Sequence, residues 1–463
     1  MSAHLPSRHQ LGTVTAGLVI AACFGLMAGY SPLIALGVAL AAVLAVVMFR
    51  DLVIAIAVFT LGSFGSALSG GHAASGSKAL GFLLVLAWMG ALARRPRGEA
   101  LALLREQRWL VVFAAALLGW SVLSAAWADS ASTALSGSGR WLLDLVLFPI
   151  ICTGIRNTHH VRIVMGAFVA GAILAVLYGA ATGSTVAGSR LAGAVGDPNE
   201  TAAVMCAAFI VALALGASER NSRKLRWVAY VTALASLIGL AATASRGGLI
   251  ALGVAMVAAV FMAGRWRRQA AMAVGIGAVL VVGWFALLAP SSSVSHLSTL
   301  QTGRTTLWLV AGRTIEANPL VGVGGDNFAL TSSQYLLRPG VTTAADQIIT
   351  TPKVAHNAYL EIWADLGIVG VVLFGAVIIA ALGCVLKAAK LLERAGRRAE
   401  EIMARGLFVA IIAMLAADFF MSDLYDKQLF VLLALAPAML VAARAEVRAD
   451  PELQGVPELQ AEG

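Results

Sequence analysis

The feature that most limits what this chain can become is a series of long apolar runs separated by short polar turns. They fall at roughly 11–30, 31–49, 51–69, 78–93, 109–127, 141–155, 161–181, 200–217, 227–243, 247–263, 269–289, 356–386, 405–421 and 428–443. A helix that crosses a bilayer needs about 20 mostly apolar residues, and a chain that is 60% hydrophobic and 12% charged supplies them repeatedly. Inside a bilayer the backbone has no water to bind, so such runs fold as helices. The pattern predicts an all-α polytopic membrane protein with about 12–14 transmembrane helices. The run at 141–155 contains Asp144, and the first three are divided only by Ser31-Pro32 and Arg50-Asp51. One re-entrant or interfacial pair among them reduces the larger count to the smaller, and either even number returns both termini to one side.

Lysine and arginine orient the bundle, because cytoplasmic loops carry the excess. Of 33 basic residues, 24 lie on one set of alternate loops, from Arg8 and Arg50 through the 94–108, 220–226, 265–268 and 387–405 clusters to Arg448. The other set holds the remaining nine: Lys78, Arg140, Arg190, Arg246, Arg304, Arg313, Arg338, Lys353 and Lys427. Both termini are therefore expected in the cytoplasm, and the long 290–355 loop outside it. The net charge of +9 mostly reports orientation, and nucleic-acid binding is not expected. Cys23, Cys152, Cys206 and Cys384 stand singly in apolar runs, which suits small core residues rather than a zinc site or a disulfide framework. The tail after Arg444 is polar, contains proline and is expected to be disordered.

In chain order, residues 1–127 read as scaffold, with small residues such as Gly62, Gly65 and Ser66 that let helices pack closely. Lys78 fits a snorkelling anchor better than a phosphate contact. Residues 128–140 read as a shallow interfacial helix, with Arg140 and Asp144 one turn apart and able to pair. In the next exterior loop, Asp197-Pro198-Asn199 has a full structural explanation as a helix cap and first turn. Arg190 has none, since nothing in the local pattern asks for a cation. Arg246 lies in the hairpin Thr243-Ala244-Ser245-Arg246-Gly247-Gly248, too tight for an independent loop. A headgroup contact is the plain account there, and lining of a substrate path is the favoured one.

The exported segment is the long departure from this alternation. Thr302-Gly303-Arg304-Thr305-Thr306 opens a helix that continues to Asn318-Pro319. Gly322-Val323-Gly324-Gly325-Asp326-Asn327-Phe328 looks like a phosphate loop, but Asn327 stands where the third glycine belongs and no strand precedes it. It reads as a tight turn with Asn327 or Phe328 shaping the site. From His356 a helical pattern runs to about Leu386, placing His356, Leu360, Trp363 and Gly367 on one face. His356 and Asn357 then open that helix, where free N–H groups favour an anion and a neutral imidazole. A neutral histidine beside a phosphate meets the requirement for a general base. It equally fits an N-cap or a hydrogen-bonding histidine at the bilayer surface.

The stretch from Gly303 to Phe328, with its G-R-x-x-x-W element, followed by His356-Asn357-Ala358-Tyr359-Leu360, resembles the signature region of the O-antigen ligase and polymerase superfamily. Ser245-Arg246-Gly247-Gly248 and the Arg190 loop resemble further features of it. The resemblance implies a C-type, metal-independent glycosyltransferase of the bacterial inner membrane, without cofactor, with a helical periplasmic loop segment. It implies transfer of a glycan from undecaprenyl diphosphate to a lipid A–core sugar on the periplasmic side. The family's catalytic histidine carries over onto His356 and its diphosphate-binding arginines onto Arg190 and Arg246, with Arg304 in the same motif. Lys78, Arg140, Arg313, Arg338, Asn327, Asn357 and Tyr359 are supporting candidates, and membrane lipids are the surrounding partners.

This reading divides the chain into transmembrane scaffold and donor cavity (1–289), a periplasmic catalytic loop region (290–355), C-terminal transmembrane helices (356–443) and a cytoplasmic tail (444–463). An O-antigen polymerase or a protein O-oligosaccharyltransferase would share donor and base and differ in acceptor. An anionic-solute transporter would use the same arginines only to bind, and the sequence shows neither an inverted repeat nor the paired broken helices of many transporters.

Overall fold

A computed structural model of the chain describes residues 29–65, 73–95, 98, 105–186, 190–264, 267–287, 304–336, 353–422 and 425–450. Short polar side chains at the ends of apolar runs set the helix starts. Asp51, Ser130, Asn157, Asp197, Ser222, Ser245, Asn357 and Asp426 each accept from a backbone N–H in the first turn that follows, satisfying donors that have no partner within the helix. The helices are α1 (Pro32–Arg50), α2 (Leu52–Gly62), α3 (Ala73–Ala93), α4 (Arg108–Leu123), α5 (Ala131–Leu145), α6 (Leu147–Gly154) and α7 (Thr158–Thr182). A two-residue hairpin, β1 (Thr185–Val186) with β2 (Arg190–Leu191), leads into α8 (Pro198–Ala217), α9 (Arg223–Ala242), α10 (Arg246–Met262) and α11 (Arg267–Leu287). Then come α12 (Arg304–Ala317), α13 (Phe328–Leu336), α14 (Ala358–Arg394), α15 (Arg398–Ala417) and α16 (Lys427–Ala449).

The protein is an all-α polytopic membrane protein. Among the described residues eight helices are long and apolar enough to cross a bilayer, and four shorter apolar helices accompany them. Large apolar side chains lie outward on several helices, including Val231, Ile276, Val279 and Ile379. Water would penalise such a surface, whereas hydrocarbon is its matching solvent. The core gathers on α16, whose residues from Phe430 to Met439 are wholly buried. Trp141 of α5 packs edge-on against Phe374, Tyr425 and Phe430, with ring centroids 5.3–5.9 Å apart.

Three expectations are corrected. Residues 128–140 are not a shallow interfacial helix: α5 and α6 join into one apolar helix, Ala131–Gly154, long enough to span. The tail does not begin at residue 444, since α16 continues to Ala449; residues 451–463 lie outside the described residues. The helix predicted from His356 to Leu386 begins at Ala358, ends at Arg394 and breaks at Gly367, where the backbone is at φ 64°, ψ −171°. His356 precedes its cap, with φ 50°, so it does not share a helical face with Leu360, Trp363 and Gly367.

The break in α14 is built from the loop that resembled a phosphate site. Val323 and Gly324 donate to the carbonyls of Ala364 and Asp365, both at 2.9 Å, and Ile368 donates to Pro319 O at 3.0 Å. Trp120 Nε1 donates to Leu366 O at 2.8 Å. Helical groups freed by the break are thus paired again, as burial demands. A Cβ on Gly367 would fall on Leu320 O, so the crossing admits only glycine there.

Candidate active site

Arg190 is positioned first by a close backbone approach. Gly179 of α7 and Gly193 after the hairpin lie so near that a Cβ on Gly179 would collide with Gly193. Thr201 Oγ1 donates to Ala192 O at 2.6 Å, holding the hairpin on α8 as well. The Arg190 side chain is then buried: Nε donates to Thr243 O at 2.9 Å, and Nη2 to Asn199 Oδ1 at 3.3 Å. Asn199 Oδ1 also accepts from Ser245 Oγ at 2.8 Å. A single amide therefore ties Arg190 to the residue that caps α10 and precedes Arg246.

Arg246 stands at the first position of α10, half-buried. The two glycines after it are explained by packing: a Cβ on Gly247 would meet Phe420 at 2.8 Å, and one on Gly248 would meet the Leu240 side chain at 3.0 Å. Arg304 opens α12, and His356 sits just ahead of α14. His356 is framed by Ala355 N–H, which donates to Glu361 Oε2 at 3.1 Å, and by Asn357, whose Oδ1 accepts from Tyr359 and Leu360 N–H. A non-glycine residue at positive φ is uncommon, though histidine tolerates it better than most.

Electrostatics joins these positions. Burial lowers the Arg190 pKa most; the Asp197 carboxylate opposes this, and Arg304 and Arg246 add to it. Burial and then Arg246 lower that of Arg304, again opposed by Asp197. Burial lowers the His356 pKa first, Arg304 second; Asp197 raises it and Lys353 lowers it. Arg190, Arg246, Arg304, Lys353 and His356 are thus electrostatic neighbours, with Asp197 acting on Arg190, Arg304 and His356. Several basic side chains near one histidine favour an anion there and disfavour the imidazolium.

The other candidates do not join it. Arg140 does not pair with Asp144 one turn away; it binds Asp326, with its guanidinium 4.4 Å from the centre of the Tyr425 ring. Tyr425 OH donates to the other Asp326 oxygen at 2.9 Å, so the three clamp α5 to the glycine-rich loop. Asn327 is wholly buried, its side chain accepting from Ser130 N–H at 2.8 Å and donating to Gly325 O at 2.8 Å. Phe328 is buried too, and its N–H donates to Asp365 Oδ1 at 2.7 Å. Both brace the loop and do not shape the site. Asn357 is a helix cap, and Tyr359 OH donates to Leu415 O at 2.6 Å. Arg313 Nη1 donates to Tyr335 O, linking α12 to α13. Lys78 is exposed on α3, and no interaction among the described residues joins it to the cluster. Arg338 lies outside the described residues.

Two participants escaped the sequence reading. Asp197 was visible only as a cap, which it is, its Oδ1 accepting from Asn199 and Glu200 N–H; its influence on Arg190, Arg304 and His356 depends on loop adjacency that spacing does not encode. Trp308 lies one turn after Arg304, packed edge-on at 5.6 Å against Phe419, and its buried Nε1–H has no acceptor among the described residues. The G-R-x-x-x-W spacing was the signal for it.

Residues 231–375 match the family model described as O-antigen ligase. The matched stretch contains Arg246, Arg304, Lys353 and His356, while Arg190 and Asp197 lie before it. No curated protein matches the chain.

Proposed function

From a chain that carries the O-antigen ligase family domain over residues 231–375, we propose an inner-membrane O-antigen ligase. It moves a glycan from undecaprenyl diphosphate to the lipid A–core oligosaccharide on the periplasmic face. The observation that carries this reading is the grouping of Arg190, Arg246, Arg304 and Lys353 about His356, whose pKa is lowered by burial first and by Arg304 next. Like charges held together in a partly buried site repel each other until an anion enters, and a diphosphate brings several negative charges. Guanidinium groups meet phosphate oxygens in a bidentate fork.

The proposed chemistry is a single displacement. The acceptor hydroxyl oxygen attacks the anomeric carbon, the bond from that carbon to the diphosphate oxygen breaks, and the electron pair leaves with the diphosphate. The hydroxyl proton passes to His356, and the anomeric configuration inverts. Negative charge on the diphosphate grows as its bond to sugar breaks, so arginines that hold it more strongly at that moment lower the barrier. Cations fixed in the protein take the place that a divalent ion would otherwise fill.

The test is transfer by purified protein from lipid-linked glycan, offered lipid A–core, a second polyprenyl-linked glycan or a pilin-like protein as separate acceptors. Transfer to lipid A–core, undiminished by EDTA, is expected. Preference for either other acceptor would make the chain a polymerase or a protein glycosyltransferase; absence of transfer to all three, with donor bound, would favour transport. His356→Ala should abolish transfer and leave donor binding largely intact. Normal transfer by that variant would remove His356 from the base role, and loss of donor binding would make it a binding residue. Arg190→Lys or Arg246→Lys should stay at least tenfold slow, about 1.4 kcal/mol, because an ammonium lacks the fork.

A further inference from the structure

A second feature lies at the other end of the same helices. Helix α8 starts at the Arg–His cluster, and its 20 residues carry the chain about 30 Å away. There the end of α8, the starts of α9, α11 and α15 and the end of α10 enclose a cavity of about 470 Å³. Such a volume is within the range of about 300–1,000 Å³ common for small-molecule sites. Its walls are aliphatic, with Leu213, Met256, Met262 and Val409 among them. Small side chains leave the space open: Ala214, Ala255 and Ala259 line it, where leucines would close it.

The mouth is charged, and its charges are not equally committed. Arg405 is spent on Glu401, Glu393 and the Met262 carbonyl, and Arg220 on Glu400. Arg226, which lines the cavity, uses only Nε, donating to Gly216 O at 2.9 Å. Its two terminal nitrogens take no hydrogen bond among the described residues. Arg223 and Lys224 on the first turn of α9, and Arg267 and Arg268 on that of α11, are exposed at the same end. Against these five cations the cavity lining offers one carboxylate, Glu219.

We infer that this cavity is a binding site for an anionic phospholipid, with an acyl chain in the apolar interior and the phosphate at Arg226. Basic pockets between membrane helices hold such headgroups by the same complementarity. The site is independent of the glycosyl-transfer centre, and by the distribution of basic residues it faces the cytoplasmic leaflet.

Thermal unfolding of the full chain in detergent tests it, with added phosphatidylglycerol, phosphatidylcholine of the same chains, or inorganic phosphate. Phosphatidylglycerol should raise the midpoint well beyond the other two. Arg226→Gln should weaken the phosphatidylglycerol response about fivefold in half-saturating lipid, for a contact of about 1 kcal/mol. Ala259→Phe, which takes up room in the cavity without removing a charge, should suppress the response to both lipids. Equal midpoints with the two lipids would overturn the proposal, as would either folded variant responding like the parent. A response to inorganic phosphate alone matching that to phosphatidylglycerol would overturn the acyl-chain part. Should Arg226→Gln fail to fold, Ala259→Phe and the lipid comparison still decide.

Discussion

His356 combines a backbone that most residues avoid with a side chain whose surroundings disfavour charge. Burial, then Arg304, then Lys353 hold its pKa below the ordinary 6.5, and Asp197 opposes them. The base form therefore persists below pH 6.5, and kcat/KM for transfer should stay level through neutrality and fall only on the acid side of that value. The two neighbours give the sign independently. Arg304→Gln removes a lowering influence, so the acid limb should move to higher pH, whatever the loss in donor affinity. Asp197→Asn removes the raising one, so the limb should move to lower pH; asparagine also caps helices, so α8 should survive. Limbs that stay fixed in both variants would assign the titration to another group. Of these residues Arg190 stood out most in the sequence, because no local pattern asks for a cation there, whereas Arg246 and His356 also had plain accounts as a headgroup contact and a helix cap. Asp197 did not stand out, because its capping role already accounts for it.

The decisive element is α14, and its break was hidden by its own composition. Asp365-Leu366-Gly367-Ile368-Val369-Gly370 continues an apolar helical pattern without a proline, so periodicity reads straight through it. What opens the helix is tertiary: the Pro319–Gly324 loop and Trp120 supply partners for the groups the break exposes. The same loop explains why Asn327 and the glycines before it resemble a ligand site while serving as a brace. Gly367 tests this, since its φ and ψ fall in a region open essentially to glycine alone. Gly367→Ala should lower stability by about 3 kcal/mol or more, as strain and collision with Leu320 combine. Gly375→Ala in the same helix meets nothing within 4 Å and should be neutral or stabilising by up to about 1 kcal/mol. Similar unfolding midpoints for the two variants would contradict the break. The spans themselves were legible because length and hydropathy report them directly; the joining of 131–140 to the following run was not, because its serines and glycines lower the local hydropathy while Gly137 packs against Asp326 and Tyr425.

At the scale of the whole molecule, the two ends of the bundle differ in how they use charge, and the difference predicts orientation. One end gathers Arg190, Arg246, Arg304 and Lys353 around an anion-seeking centre, against the general bias of the chain. The other carries ion pairs such as Arg220–Glu400 and Arg405–Glu401 together with the surplus cations of α9 and α11. Basic excess marks the cytoplasmic side, so the first end should face away from the cytoplasm, as the proposed function requires. Thr305, on the first turn of α12, and Arg398, at the start of α15, are both exposed and lie on the two sides of this division. A membrane-impermeant thiol reagent applied to intact cells should label Thr305→Cys and leave Arg398→Cys untouched until the cells are lysed. Cys152, Cys206 and Cys384 are buried and free, so they should contribute little background. Labelling of Arg398→Cys from outside would invert the bundle, place the Arg–His centre in the cytoplasm and remove the periplasmic acceptor from its reach.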